Sequence, residues 1–388
     1  MIIIMKIGLG YDWKELKRFK RLDKKDRSIV FYLENEYYFI YFKPIVEKLT
    51  QEYDMKICYV TSSKTDPMLT SNDKNILPFY IGDGIARSNF FINLEATIVI
   101  MTMPDLDTFH VKRSKIYPVH YVYIFHSLNS THYVYTKTAF DNFDTIFCTG
   151  NYQIIEIQER ERKFNLRRKK LVKHGYGRLD ALINEVQSAD VKKNVSDNKV
   201  VLIAPSWGPN GLIETKGQEI IRTLLDSGFN VILRPHPMTI KKSNKIIQKI
   251  EKEFKDNLNF KLDIDIRNAE SFFLSDCMIS DWSGVAIEYA FAFEKPILYV
   301  DTPQKINNPE CHQIELAPLE EKIRSQIGEV LSLSQLSLIP SKINPFLQSQ
   351  NKFKEKIQQI KEKTVFNVGN SGEEGAKYLL ELKKSLVS

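Results

Sequence analysis

From Ser28 onward the chain alternates short apolar, β-branched runs with longer amphipathic segments, and that alternation restricts it to βαβ units on parallel sheets. Strands are expected at Ser28 to Leu33, Lys56 to Thr61, Ala96 to Met101, Val119 to Phe125 and Thr145 to Cys148. A helix over Tyr41 to Tyr53 carries Phe42, Ile45, Val46 and Leu49 at helical spacing. Val172 to Asp180 turns through a Gly-containing segment, and Gln187 to Asn198, polar and aperiodic, reads as a connector.

A second series follows. Strands at Lys199 to Ala204, Asn230 to Leu233, Cys277 to Ser280 and Pro296 to Val300 alternate with helices at Ile213 to Ser227, Ile240 to Phe254 and Gly284 to Phe293. The tail from Glu320 reads as helical. A length of 388 residues suits two domains, here 1–180 and 181–388, each a Rossmann-like doubly wound α/β unit, the second finished by terminal helices. Ligands of such sheets sit beyond the carboxyl ends of the strands.

Composition excludes several classes. The 55 Lys and Arg against 48 Asp and Glu leave a net charge of +7, too thinly spread over this length to mark a nucleic-acid binder. Cys58, Cys148, Cys277 and Cys311 lie at long, irregular spacings, so neither a zinc ribbon nor a disulfide framework is expected, and free thiols point to a reducing cytoplasm. The apolar start Met1-Ile2-Ile3-Ile4-Met5 is broken by Lys6, so no signal peptide is expected, and no apolar run reaches the length of a spanning helix. Lys14 to Arg27 and Arg160 to Lys173 are basic stretches; on one side of the molecule they would favour an anionic membrane surface, and otherwise they are solvated helix faces.

The sharpest motif is Leu233-Arg234-Pro235-His236-Pro237. A strand delivers Arg234 and His236 to its carboxyl end between prolines that fix the backbone. Such a pair suits a diphosphate: Arg as a fork, His as a donor to a leaving phosphate. In Ile279-Ser280-Asp281-Trp282-Ser283-Gly284 a strand ends and a helix begins. The helix start and the Ser280 and Ser283 hydroxyls suit phosphate oxygens, while Asp281 or Ser283 equally suits an N-cap. Glu288, one turn further on, is placed to accept from a ribose hydroxyl or to support the helix dipole. Ser206-Trp207-Gly208 forms a hydroxyl-bearing loop in which glycine permits close backbone approach; neither the dinucleotide fingerprint nor a Gly-Lys-Ser phosphate loop is present.

In the first unit His126 follows a nearly continuous apolar strand and is the candidate general base, with His132 a weaker one and a structural hydrogen-bonding role the alternative. Tyr176, Gly177, Arg178 and Asp180 occupy the hinge, where Arg178 and Asp180 are expected to pair with each other. No carboxylate pair has glycosidase spacing, and no His, Asp or Glu cluster has metal-ligand spacing.

As a set, Tyr41-Phe42-Lys43-Pro44, His126, Gly175 to Asp180, Ala204 to Trp207, Arg234 to Pro237, Ser280 to Val285 and Lys295 to Tyr299 resemble the CDP-glycerol glycerophosphotransferase family of teichoic acid and capsule polymerases. The resemblance implies a GT-B fold, with an acceptor-side first domain, a nucleotide-donor second domain and two essential histidines matching His126 and His236. This chain has His126-Ser127 where His-Gly is typical, Ser280-Asp281-Trp282-Ser283-Gly284 where Ser-Asp-Tyr-Ser-Ser is usual, and Glu288 in place of an Asp. The implied activity moves glycerol phosphate or a related polyol phosphate from a CDP-activated donor to a hydroxyl of a cell-surface glycan or lipid-linked acceptor. CMP is released, no cofactor or metal is required, and the expected location is the cytoplasm or the inner face of the membrane. A GT-B glycosyltransferase using a UDP- or CMP-sugar, and a silent nucleotide-binding scaffold, are the alternatives.

Overall fold

The computed structural model describes residues 10–188, 199–265, 268–304 and 306–387. Residues 1–9 and 189–198, on which the apolar start and most of the expected connector fall, lie outside the described residues; Gln187 and Ser188 end a helix. Two sheets, parallel throughout, organise the chain. The first contains β1 (Ile29–Leu33), β2 (Ile57–Thr61), β3 (Ile76–Tyr80), β4 (Ile98–Met101), β5 (His120–Ile124), β6 (Thr145–Cys148) and β7 (Lys170–Lys173), in the order β3-β2-β1-β4-β5-β6-β7. The second contains β8 (Val200–Ile203), β9 (Asn230–Leu233), β10 (Phe260–Leu262), β11 (Cys277–Ser280), β12 (Ile297–Asp301) and β13 (Gly328–Ser332), in the order β10-β9-β8-β11-β12-β13.

Strand order reverses at β1/β4 and again at β8/β11, where neighbouring crossovers depart in opposite directions and open a crevice at the carboxyl edge. Both faces of each sheet are covered. In the first sheet Val30, Tyr32, Val60, Val99 and Tyr123 feed one core while Phe31, Leu33, Tyr59, Ile100 and Val122 feed the other. In the second, Leu202 and Met278 face one core and Val201, Ile203 and Ile279 the other. Strands with two buried faces must be apolar at successive positions, which is why they read as unbroken runs.

The helix Gly177–Ser188 lies between the units. Gly177 sits so close to the Tyr41 carbonyl that a Cβ would overlap it, and Leu179 and Leu182 join the core that contains Met278, Ile287 and Tyr299. The chain then corrects one expected boundary. Its last helix, Ser371–Val387, assigned by sequence to the second unit, returns to the first and buries Ala376 and Leu379 against Phe42, Ile45 and Leu49. On the way back Phe366 N donates to the Thr149 carbonyl (2.8 Å) and Asn367 Nδ2 to that of Lys173 (2.7 Å). Two Rossmann-like domains facing a cleft, with C-terminal helices, form a GT-B-like α/β architecture.

Candidate active site

At the β8/β11 reversal the two carboxyl ends are tied together by side chains expected to hold phosphate. Ser280 Oγ donates to the Ala204 carbonyl (2.9 Å) and is fully buried. Asp281, also fully buried, accepts from Ser206 N (2.7 Å), Ser206 Oγ (3.1 Å) and Leu212 N (3.4 Å). It therefore anchors the 204–211 loop and caps the helix Leu212–Asp226 rather than its own helix. In this structure the hydroxyl protons of Ser280 and Ser206 and both oxygens of Asp281 are engaged by protein, and Asp281 takes the capping role that is one of its two expected ones, on the helix Leu212–Asp226.

Ser283 is different. It is the N-cap of the ten-residue helix Gly284–Phe293, and its side chain makes no capping bond. The first-turn N–H groups and the Ser283 hydroxyl are the donors this edge offers to an anion. Gly284 approaches Asn129 of the first domain so closely that a Cβ would overlap Asn129 Oδ1. The loop that begins with His126 therefore meets the helix start.

Beyond β9, His236 caps the short helix Pro237–Lys242, its Nδ1 accepting from Met238 N (3.0 Å). An Nδ1 that accepts leaves the proton of the neutral imidazole on Nε2, so His236 presents a donor there. Its ring lies 6.2 Å from that of Trp207, over which Lys242 Nζ sits at 4.6 Å. Gly208, next along, has φ +139, a backbone conformation that side-chain-bearing residues rarely adopt. Arg234 is placed beside these residues but turned inward. Nη1 donates to Asp263 Oδ2 and Ser271 Oγ (both 2.8 Å), Nη2 to the Asn268 carbonyl (2.9 Å), and the guanidinium stacks on Phe272. The end of the guanidinium expected to fork a diphosphate is occupied by protein in this structure.

On the first-domain side, His126 follows β5 inside a group of tyrosines. Tyr38, Tyr41 and Tyr135 meet its ring edge-on at 5.6, 6.1 and 5.9 Å, and the Tyr123 hydroxyl lies 3.4 Å from Nδ1. Burial pushes His126 down to about 4, against a hydrogen bond to the Thr102 backbone. The imidazole is neutral at ordinary pH and keeps the lone pair a base requires. His132 differs: Nε2 bonds the Leu316 carbonyl (2.9 Å), Nδ1 lies 3.5 Å from Glu156, and the ring is buried at the domain junction.

The hinge residues are brought together, in a pairing other than the expected one. Arg178 Nε donates to Glu288 Oε2 and the Tyr176 hydroxyl to Glu288 Oε1, both at 2.6 Å. Asp180 instead accepts from Gly369 N (2.6 Å) and Ser371 N (2.8 Å) at the start of the returning helix. Glu288 is thus a buried partner of the hinge rather than an open ribose ligand. Burial opposes the charge on Arg178, but Glu288 and the neighbouring tyrosines outweigh it and hold the guanidinium above its ordinary range. Tyr176 packs 5.8 Å from Tyr41, which reaches His126, so the hinge touches both halves of the cleft. The tyrosine group and Asn129 carry no sequence signal of their own, apart from Tyr41 within its four-residue motif.

The basic stretches do not form one patch. The helix Tyr11–Lys20 packs at the β3 edge through Phe19 on Phe79, whereas Lys170 to Lys173 form the opposite edge of the same sheet. Arg160, Arg167 and Lys169 pair with Asp141, Asp144 and Glu161. Among the described residues no helix is long and apolar enough to cross a membrane, and no group of three or more His, Cys, Asp or Glu is placed to hold a metal.

Comparison with known proteins places this geometry. Residues 15–305 match the family model of CDP-glycerol:poly(glycerophosphate) glycerophosphotransferase. Teichoic acid ribitol-phosphate polymerase TarL of Staphylococcus aureus is 27% identical over 150 residues, which are 35% of this chain and 25% of that protein. Teichoic acid poly(glycerol phosphate) polymerase of Staphylococcus epidermidis is 25% identical over 138 residues, 31% of this chain and 18% of that one. The matched part therefore spans a quarter or less of the length of these relatives. Among solved structures, the wall teichoic acid polymerase TagF soaked with CDPG superposes with a TM-score of 0.56 at 15% identity, covering 97% of this chain and 94% of that one. The UDP-GlcNAc 2-epimerase of Methanocaldococcus jannaschii does so with 0.60 at 14% identity, covering 91% and 99%. At such identities the structures share the fold. The family model takes in both histidines, the hinge and the β8/β11 reversal, and the chain belongs to the CDP-glycerol:poly(glycerophosphate) glycerophosphotransferase family.

Proposed function

We propose that the chain transfers a polyol phosphate, glycerol phosphate or a close relative, from a CDP-activated donor to a hydroxyl of a glycan or lipid-linked acceptor. The observation that carries this reading is the meeting of a neutral, tyrosine-enclosed His126 with the uncapped helix start at Ser283 and Gly284, across Asn129. The family membership and the polymers named for the two staphylococcal relatives support the choice of donor.

In this reading His126 takes the proton of the acceptor hydroxyl. The oxygen attacks the polyol-bearing phosphorus, a new P–O bond forms in line, and the anhydride bond to CMP breaks. Charge on the departing CMP is met by the Ser283 and Gly284 donors, by Nε2–H of His236 and by the field of Arg234. Trp207, with His236 and Lys242 beside it, borders the donor site. Contact with an anionic membrane surface would use one basic stretch at a time, since the two lie at opposite edges of the first sheet; in the first, Lys14, Lys17, Lys20, Arg21 and Lys25 are exposed. Sedimentation with anionic vesicles at low salt checks it, and no binding there rejects it.

The experiment for the donor is a thermal-shift comparison of CMP, CDP-glycerol and CDP-ribitol with UDP and UDP-sugars. A ligand at one hundred times its Kd stabilises the native state by about 2.7 kcal/mol. Cytidine compounds are expected to raise Tm and uridine compounds to leave it unchanged; the reverse order rejects the CDP donor.

A further inference from the structure

His126 leads a loop that both domains hold. From its own side two carbonyls are taken: the Tyr152 hydroxyl donates to that of Leu128 (2.6 Å) and Gln153 Nε2 to that of Asn129 (3.4 Å). The next residue, Ser130, is completely buried and is met from the second domain. Its Oγ accepts from Leu319 N (2.6 Å), and its own N–H donates to Glu320 Oε1 (3.1 Å). Both partners open the helix Leu319–Ile327, whose N-cap position is Pro318, a residue with no side-chain acceptor. Ser130 therefore satisfies a first-turn N–H that this helix cannot cap for itself. A hydroxyl that accepts a helix N–H, while a first-turn carboxylate takes the N–H of the hydroxyl's own residue, is the reciprocal arrangement of a capping box, closed here between two domains. The short helix that continues the loop, Thr131–Val134, is gripped from the same side. Asn308 Nδ2 donates to the His132 carbonyl (2.9 Å), and the N–H groups of Asn307 and Asn308 share that of Tyr133 (both 3.1 Å).

Glu320 is kept at a cost. It is buried, and burial holds its carboxyl above the usual range against the hydrogen bonds it accepts from backbone N–H groups. A carboxylate retained against its desolvation serves geometry rather than packing. We propose that Ser130 and Glu320 are positioning residues for the transfer step, the cap they form across the domains holding the loop of His126 in place against the Ser283 and Gly284 donors. The inference rests on the transferase reading above and deepens it. Glu320 lies beyond the residues 15–305 that the family model matches, and no motif in the sequence marks either residue. Because the pair acts through His126 and touches neither donor nor acceptor, it bears on the chemical step and not on donor binding.

The test sets steady-state transfer from CDP-glycerol beside CMP calorimetry and hydrogen exchange, all on the full chain. Ser130→Ala and Glu320→Ala are each expected to lower kcat per folded molecule by about tenfold, with the KM for CDP-glycerol and the Kd for CMP within about twofold of the wild type. Glu320→Gln keeps an acceptor for Ser130 N and is expected to retain about half of the activity or more. The double Ala variant is expected to fall no more than about twofold below the poorer single one, since either substitution opens the same cap. Amides of residues 126–134 are expected to exchange faster in Glu320→Ala while those of β5 keep their protection. An unchanged kcat in both single variants, a rise in the Kd for CMP that matches the fall in kcat, or unchanged exchange over 126–134 overturns the proposal. Should Ser130→Ala fail to fold, Glu320→Ala and Glu320→Gln decide by the same readings. Faster exchange in the variants of a chain that never releases CMP from CDP-glycerol supports the cross-domain cap and rejects the transferase reading instead.

Discussion

His126 is enclosed by tyrosine rings and a backbone carbonyl, and burial takes it down to about 4; burial likewise takes His174, stacked on Phe147, down to about 4. The unfolded chain binds protons on both imidazoles near the ordinary value of about 6.5, whereas the folded chain refuses them until about 4. Their contribution to stability is therefore complete above the unfolded value and is lost as pH falls through this window, by on the order of 3 kcal/mol each. Urea unfolding at a series of pH values is expected to show the loss, and His174→Asn, which cannot take the proton, is expected to flatten it. An unchanged slope in that variant contradicts the assignment. At this scale residue type was legible and partner was not. The sequence marks Arg234, Ser280 and Asp281 as polar groups at strand ends and Glu288 as one a turn into the following helix, but Asp263, Ala204, Ser206 and Arg178, which occupy them, come from other elements.

Among elements, the apolar pattern identifies the nine interior strands and fails at sheet edges. β3 carries Pro78, β10 has three residues, β13 is Gly-Glu-Val-Leu-Ser, and β7, charged at both ends, shows only as a strand end near Val172. An edge strand has one unpaired side and need not be apolar throughout, so its pattern weakens where the sheet stops. The loop after β8 depends on a partner far along the chain. Asp281→Ala strands the N–H groups of Ser206 and Leu212, and is expected to cost about 2–4 kcal/mol and to weaken CMP binding through the displaced loop. Chemical denaturation and calorimetry check both, and a variant of wild-type stability contradicts the anchoring role.

Over the whole molecule, two contacts set how the halves face each other: the Arg178–Glu288 pair at the hinge, and the return of the last helix to the first sheet. Glu288→Gln leaves the largely buried guanidinium without its counter-charge, and is expected to cost about 3 kcal/mol and to lower kcat more than donor affinity. Leu379→Ala, remote from the cleft, is expected to cost about 2–4 kcal/mol with transfer kinetics unchanged per folded molecule. The doubly wound halves were legible because each strand–helix repeat announces itself locally. The homing of Ser371–Val387 was not, since a helix pattern states which face is buried and not against what.

The most direct measurement follows radiolabelled CDP-glycerol with a polyol-phosphate-primed acceptor, counting CMP released and label transferred in the wild-type chain and in His126→Ala. One CMP per transferred unit is expected in the wild type. In the variant turnover is expected to fall by about a hundredfold or more, with CMP binding retained. Full turnover by His126→Ala, or a wild-type chain that leaves CDP-glycerol intact, would contradict it.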